Sequence, residues 1–219
     1  MPNSSTENNL NNSSNVPNKG YLITKRIFDI FGSSLGIILS LIPGIITAIA
    51  IKKEDPDGPV LYESIRIGKD GKPFKMYKFR SMYKNADKRK KELLEQNEVE
   101  GAMFKMHNDP RVTKVGHVIR KYSIDELPQF INVFKGDMSL VGPRPPLPDE
   151  VAKYDDHDRL RLAVEPGCTG LWQVSGRSAL SFKQMVELDL KYIKNRSILL
   201  DLDIMFRTVK IMIVPNTTS

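Results

Sequence analysis

Hydrophobic and polar positions divide this chain into stretches of contrasting rhythm. From Ile30 to Ile51 there is no charged residue and apolar side chains recur on every helical face. A straight helix over that run would be roughly 33 Å long, enough to cross a hydrocarbon core. Pro43-Gly44 sits inside it, with Gly32 and Gly36 earlier. Proline removes a backbone donor and crowds the preceding turn, so the helix is expected to bend or break there. Lys25-Arg26 precede the run and Lys52-Lys53 follow it. A spanning helix usually carries its Lys/Arg excess on the cytoplasmic side only. Basic flanks at both ends suggest a segment that enters and leaves by the same face. A single-pass helix with a proline kink fits the segment equally well. The run is too long and too apolar for a buried soluble helix. Ile49-Ala50-Ile51-Lys52 is a poor signal-peptide cleavage site. Asp29, three residues after Arg26, is expected to pair with it across one turn.

The rhythm changes after Lys53. Asp55-Pro56-Asp57-Gly58-Pro59 is a stop and a turn. Val60-Leu61-Tyr62 and Phe74-Lys75-Met76-Tyr77 flank Gly68-Lys69-Asp70-Gly71, which predicts a β-hairpin between Val60 and Met82. Acids and bases at helical spacing predict a charged helix over Ala86–Val99. Val112–Phe134 predicts a helix pair broken near Tyr122-Ser123. Gly142-Pro143-Arg144-Pro145-Pro146 forces an extended, rigid segment. A charged helix is expected over Pro148–Leu162, and further helices over Ser181–Lys194 and Leu199–Val214. The last is amphipathic, suited to packing on the core or lying in a membrane interface. Residues 1–20 are rich in Asn and Ser and have little to bury, so they read as a disordered tail.

Composition narrows the partners. The formal net charge is +7, which favours anions: acidic lipid head groups, phosphates or nucleic acid. With a membrane segment present, lipid and phosphate are the better pair. Cys168 is the one cysteine, so no internal disulfide forms and a CxxC metal or redox site is excluded. The soluble part suits a reducing cytosol. His107, His117 and His157 lack zinc-like spacing. There is no Walker loop and no Gly-x-Gly-x-x-Gly fingerprint.

Ser123-Ile124-Asp125-Glu126-Leu127-Pro128 is the strongest candidate for chemistry. Ser123 followed three residues later by Glu126 fits a capping box, so a helix is expected to start here. Capping alone would account for Glu126, and the helix dipole alone for Asp125. The same arrangement could bind phosphate, provide a carboxylate nucleophile for phosphorus, and recruit Mg²⁺ through Asp125 and Glu126. Arg144, locked between prolines, presents a guanidinium fork matched to phosphate oxygens. Lys78, Arg80, Arg120 and Arg177 fall near predicted turns and together would suit a diphosphate. Gln173, beside Trp172, could contact a base or sugar.

Lys25-Arg26-Ile27-Phe28-Asp29, Tyr77-Lys78-Phe79-Arg80-Ser81-Met82, Ser123–Gln129, Asn132–Pro145 and Pro166–Arg177 together resemble the bacterial sugar transferase family, the monotopic phosphoglycosyl transferases. The resemblance extends over nearly all of Tyr21–Val214. It implies an α+β, mostly helical protein: a re-entrant membrane helix–break–helix, a small β-hairpin and amphipathic interface helices. It divides the chain into a disordered tail (1–20), a re-entrant membrane segment (21–55), a catalytic domain on the cytosolic face of a bacterial cytoplasmic membrane (56–214) and a short tail (215–219). It implies Mg²⁺-dependent transfer of a sugar-1-phosphate from a UDP-sugar to undecaprenyl phosphate, releasing UMP. Asp125 would attack phosphorus and carry a covalent phosphosugar, Glu126 would support it, and Arg144 would hold phosphate. Lys78, Arg80, Arg120, Arg177 and Gln173 would be supporting contacts. Trp172–Arg177 resembles members using UDP-glucose or UDP-galactose. The family breaks its membrane helix at adjacent Ser and Pro. Here Leu41-Ile42 separates Ser40 from Pro43. The chain resembles a minimal catalytic form without the extra N-terminal helices of longer relatives.

Acidic membrane lipids, a homo-oligomer or a glycosyltransferase complex are the other expected partners. A non-enzymatic membrane-tethered module that binds acidic lipid or a synthesis complex is the alternative function; it predicts that Asp125→Asn leaves function intact. No recognition motif supports binding of nucleic acid.

Overall fold

The computed structural model describes residues 19–84, 86, 109–176 and 179–213. Most of the predicted N-terminal tail, the C-terminal tail, all but Ala86 of the predicted helix over 86–99, His107 and Arg177 lie outside the described residues.

Helix α1 runs from Lys19 to Glu54 with Pro43 inside it. The expected break at Ser40 and Pro43 is not present: the helix continues through both. Proline withholds only one N–H, and the Ser40 hydroxyl donates to Gly36 O at 2.6 Å in the turn before it. Packing holds the rest. Asp29, Ser33, Gly36, Ser40, Gly44, Thr47, Ile51 and Glu54 recur every three or four residues, the period of one helix face. This stripe of mostly small and polar residues rests on the remainder of the protein along its length. Gly36 faces the Phe130 ring, and a Cβ there would come within 2.9 Å of it. Gly44 faces Phe79. The opposite faces expose Ile27, Phe31, Ile38, Leu39, Ile42, Ile45, Ile46 and Ile49, far more contiguous apolar surface than water favours.

The hairpin forms as expected. Strand β1 (Leu61–Ile67) pairs antiparallel with β2 (Pro73–Phe79), with Tyr62 opposite Lys78 and Arg66 opposite Phe74. Asp70 and Gly71 turn the chain at φ 56° and 75°. Helix α2 (Lys114–Lys121) is capped by Thr113, whose Oγ1 accepts from Gly116 N at 2.8 Å. Helix α3 (Gln129–Lys135) ends at Gly136, φ 96°, a left-handed C-cap that glycine adopts freely.

Two short strands, β3 (Ser139–Val141) and β4 (Gly167–Thr169), pair in parallel. Three residues each give no alternation to read, so this pair was not expected. The single helix expected over Pro148–Leu162 is instead α4 (Pro148–Val151), α5 (Asp156–Arg159) and a 3-10 turn at Leu160–Ala163. Asp155 causes the split: its carboxylate accepts from Asp158 N at 2.8 Å and starts a new helix. Short helix α6 (Leu171–Ser175) precedes α7 (Phe182–Asn195) and α8 (Ile198–Ile213), close to the expected bounds of the last two. Met76, Val133, Met138, Leu140, Val141, Leu171, Tyr192 and Ile204 form the core between hairpin, α3, β3 and the last two helices. Helix α8 buries Ile204 and Asp201 but exposes Leu199 and Phe206.

The N-terminal half of α1 is tied to this core by polar contacts. Asp29 Oδ1 accepts from Ser139 Oγ and from Leu140 N, both at 2.9 Å. Arg26 donates to Val133 O and Phe134 O at 2.7 and 2.8 Å, satisfying carbonyls at the end of α3. The Asp29–Arg26 pair expected from their spacing is therefore replaced, because each finds unpaired backbone groups on a neighbouring element. Lys25 Nζ donates to Val141 O and Asp201 Oδ2 at 3.0 and 2.8 Å.

Candidate active site

Alternation in the hairpin builds one wall. Side chains two residues apart share a sheet face, and the register aligns Tyr62, Ser64 and Arg66 with Lys78, Met76 and Phe74. Arg66, Met76 and Lys78 thereby reach a common pocket, closed on its other sides by Glu126, Arg144 and Gln173. The β3–β4 pair positions the arginine. Gly142 N donates to Thr169 O at 2.9 Å, and Gly167 N to Pro143 O at 2.8 Å. A Cβ on Gly167 would lie 2.0 Å from Gly142 N, so only glycine lets the two backbones meet. The proline segment then leaves this junction with Arg144 aimed at the pocket. Its NH1 lies 3.7 Å from Glu150, whose other contact is Leu147 N at 2.8 Å.

The acidic pair follows α2. Tyr122 ends that helix, Ser123 turns at φ 54°, and Ile124–Glu126 form a 3-10 turn. The capping box read from Ser123 and Glu126 is not formed. An N-cap needs an extended conformation, whereas Ser123 is left-handed and makes no side-chain cap. Glu126 is thereby free to accept from Lys78 Nζ at 2.7 Å. A left-handed conformation in a non-glycine residue is uncommon and costs of order 1 kcal/mol. It sets Asp125 inward: that residue is buried at 7 % exposure.

The two carboxyls are tuned apart. Burial pushes Asp125 up to about 6, with Lys78 and Arg120 opposing the rise and Glu126 adding to it. Burial also raises Glu126, but Lys78, Arg144 and Arg66 outweigh it and hold that carboxyl below its usual range. Arg120 Nε donates to Ser81 Oγ at 2.8 Å, fixing the guanidinium beside Asp125. Opposed environments for adjacent acids are a recurring mark of functional carboxylates.

Of the residues singled out by sequence, Asp125, Glu126, Lys78, Arg120, Arg144 and Gln173 converge here. Gln173 Nε2 donates to Cys168 O at 3.4 Å. Arg80 does not converge. Its side chain turns to the end of α1 and forms a buried ion pair with Asp55, with NH2 donating to Asp55 O at 2.7 Å. A residue two positions from Lys78 would share its face in a continuing strand, but β2 ends at Phe79. Arg66 was missed. Pairing of β1 with β2 was the signal that could have found it, since residues 62, 64 and 66 face the same way as Lys78. Cys168 also lines the pocket, with burial pushing its thiol well above the usual range, which is contrary to nucleophilic use. His157 pairs with Glu187 at 2.7 Å on the surface. Among the described residues no group of three potential ligands gathers to hold a metal.

Asp125 and Glu126 are the adjacent carboxylates that would hold an Mg²⁺ ion. That ion commonly takes one or two protein carboxylates and completes its shell with water and substrate phosphate. Asp125 has burial unfavourable to its own charge, which a cation relieves.

A family model described as bacterial sugar transferase matches residues 20–215. The chain is 47% identical to the galactosyl transferase CpsE of Streptococcus agalactiae, over 89% of this chain and 43% of that protein. It is 43% identical to the undecaprenyl-phosphate galactose phosphotransferase of Salmonella typhimurium, over 91% of this chain and 42% of that protein. It is 42% identical to the exopolysaccharide production protein ExoY of Sinorhizobium fredii, over 85% and 84%. The chain thus spans less than half the length of the first two relatives and most of the third.

Proposed function

This chain belongs to the bacterial sugar transferase family, and we propose that it moves a hexose-1-phosphate from a UDP-sugar to undecaprenyl phosphate, the first step in assembling an exopolysaccharide or capsule repeat. Glucose and galactose are the proposed sugars. The galactosyl transferase and galactose phosphotransferase names of two relatives support that narrowing.

The observation that carries the reading is a buried aspartate flanked by Lys78, Glu126 and Arg120, next to a pocket that adds Arg66 and Arg144. An Asp125 oxygen attacks the phosphorus bearing the sugar. The bond to the bridging oxygen breaks, and UMP departs with the electron pair. The phosphate oxygen of the lipid then attacks the same phosphorus and displaces Asp125, leaving a lipid diphosphate sugar. Two displacements at one carboxylate make a ping-pong sequence. Lys78 neutralises Glu126, so the second carboxylate does not repel the incoming diphosphate. Arg144 and Arg120 oppose negative charge developing on phosphate oxygens. Mg²⁺ held by Asp125 and Glu126 would supply further charge neutralisation to the phosphates.

The membrane reading rests on α1. Both of its ends are held by the same body: Asp29 by β3, and Glu54 by the first amides of α2, at 2.7 and 2.8 Å. A helix laid along its domain from end to end does not leave that domain behind to cross a bilayer. With its apolar faces in lipid and its basic ends at one surface, α1 makes the protein monotopic, with the acidic pair on the cytosolic side.

The test is UMP release from a panel of UDP-sugars with Mg²⁺ and undecaprenyl phosphate, run beside Asp125→Asn. Release with one sugar, abolished in the variant, together with a labelled phosphosugar trapped on the wild-type protein when acceptor is withheld, is the expected result. Release that survives Asp125→Asn removes the proposed nucleophile. No release from folded, membrane-inserted protein returns the chain to a tethered binding module.

A further inference from the structure

Arg66 belongs to none of the motifs that carry the family resemblance, yet it occupies the pocket. Its NH1 donates to Pro145 O at 3.0 Å, and its Nε is buried without a hydrogen-bond partner. A second guanidinium, that of Arg144, shares the same pocket. Like charges placed together in a sheltered site are costly unless an anion joins them. The protein's own carboxylates share the load: Glu150 lies 3.7 Å from Arg144 NH1 while accepting from Leu147 N at 2.8 Å, and Glu126, drawn down by both guanidiniums, pairs with Lys78 at 2.7 Å. Burial and Arg144 draw the Arg66 guanidinium down to about 10, so it remains cationic at neutral pH. Arg66 therefore keeps a fixed charge at the pocket wall for a ligand oxygen.

The charges are also ordered. Asp125 is faced by Lys78 and Arg120, whereas Glu126 is faced by Lys78, Arg144 and Arg66. Lys78 is common to both groups and, with Arg66 and Arg144, lines the pocket.

We propose that Arg66 is a substrate-binding residue that holds, with Arg144, the phosphate departing with the nucleotide. The inference rests on the transferase reading above. When the Asp125 oxygen bonds to the sugar-bearing phosphorus and the bridging P–O bond breaks, the electron pair stays on the nucleotide phosphate. Arg66 and Arg144 lie where that charge appears.

The experiment uses the full chain in lipid nanodiscs and compares wild type with Arg66→Gln and Arg66→Lys. Donor KM, product inhibition by UMP and inhibition by uridine are measured, with thermal melting as a check of folding. The expected result is a UMP inhibition constant and donor KM raised roughly ten- to a hundredfold in Arg66→Gln, the loss of one charge-assisted hydrogen bond or more. Uridine inhibition stays as in wild type, because uridine has no phosphate. Arg66→Lys, which keeps the charge but loses the fork, weakens UMP by a smaller factor. Unchanged UMP inhibition in both variants overturns the proposal, as does equal weakening of UMP and uridine, which marks a merely structural role. Should Arg66→Gln fail to fold, Arg66→Lys decides by the same comparison. A wild type that turns over while the variants match it sinks only the role of Arg66. A wild type that releases no UMP from any donor sinks the transferase reading itself.

Discussion

Replacing Arg80 with methionine separates a structural arginine from a substrate-binding one. Arg80 lies among basic residues that the sequence would assign to phosphate, yet its guanidinium is turned to Asp55. Side-chain exposure is 6% for Arg80 and 17% for Asp55. The pair ties the end of α1 to the end of β2, and the Asp55 carboxylate also accepts from Lys84 N at 3.2 Å. Arg80→Met keeps most of the side-chain bulk and strands a mostly buried carboxylate. Removing one partner of a buried ion pair costs about 3–5 kcal/mol. Asp55 retains the Lys84 amide and some solvent, which places the cost near the lower end, about 3 kcal/mol. A chain of this size loses roughly 2–4 °C of melting temperature per kcal/mol, so a fall of about 6–12 °C is expected. Adding Asp55→Leu removes the stranded charge and should restore part of the loss. Trp172 is the one tryptophan and offers an intrinsic fluorescence signal for melting in nanodiscs. Donor KM, measured well below the transition and per folded enzyme, should match wild type in both variants. A melting temperature within 2 °C of wild type, together with a donor KM raised tenfold or more, would refute the reasoning and return Arg80 to the substrate.

Three other outcomes follow from the geometry. Burial raises the Asp125 carboxyl to about 6 in the Mg²⁺-free protein; a carboxyl titration without Mg²⁺, followed by difference infrared absorption against Asp125→Asn, should place its transition near pH 6, with the carboxylate form above it and the neutral acid below, and a transition at the ordinary aspartate value would contradict a buried Asp125. Gly167→Ala brings a methyl to 2.0 Å from Gly142 N, so β3 and β4 must part; loss of turnover by about a hundredfold or more is expected, while near wild-type turnover would show that the Arg144 loop does not depend on this junction. Asp29→Ala leaves Leu140 N buried without an acceptor and removes the acceptor of the Ser139 hydroxyl, which keeps only the bond it accepts from Val141 N at 3.3 Å; stranding the amide costs about 1–3 kcal/mol, the loss should appear as a melting temperature lowered by several degrees, and no change in melting would mean that α1 is not held there.

Much of the site was readable because its residues lie in short, distinctive runs. Asp125, Glu126 and Arg144 stand in such runs, and their positions do converge. Arg66 was not readable for a different reason. It enters the pocket through pairing of two strands, and a strand partner is a long-range fact that no single run contains. The same holds for Arg80, where composition suggested phosphate and an aspartate 25 residues away in sequence took the charge. The Ser123 capping box failed because spacing specifies which residues can pair but not the backbone conformation that lets them. The hairpin and the helices α7 and α8 were legible from periodicity and turn residues. The β3–β4 pair was not, since three-residue strands are defined by backbone pairing with a distant segment rather than by side-chain pattern.

The two walls of the site hang from opposite ends of one helix. Near its N-terminal end, Lys25 bonds to Val141 O and Asp29 to Ser139 and Leu140. The next residues, Gly142 to Pro145, carry Arg144 into the pocket. At its C-terminal end, Glu54 caps α2 at Lys114 N and Val115 N, and α2 leads through Ser123 to Asp125. Asp55 holds Arg80, two residues beyond Lys78. Asp125, the proposed nucleophile, and Arg144 are thus spaced by a single helix whose outer faces are apolar. The inner stripe explains how a run so hydrophobic can also serve as a scaffold: Gly36 and Gly44 let Phe130 and Phe79 approach the helix backbone, while Asp29 and Glu54 accept from backbone amides of β3 and α2. An exposed apolar surface and the support of a polar candidate site are therefore built from the two sides of the same sequence period.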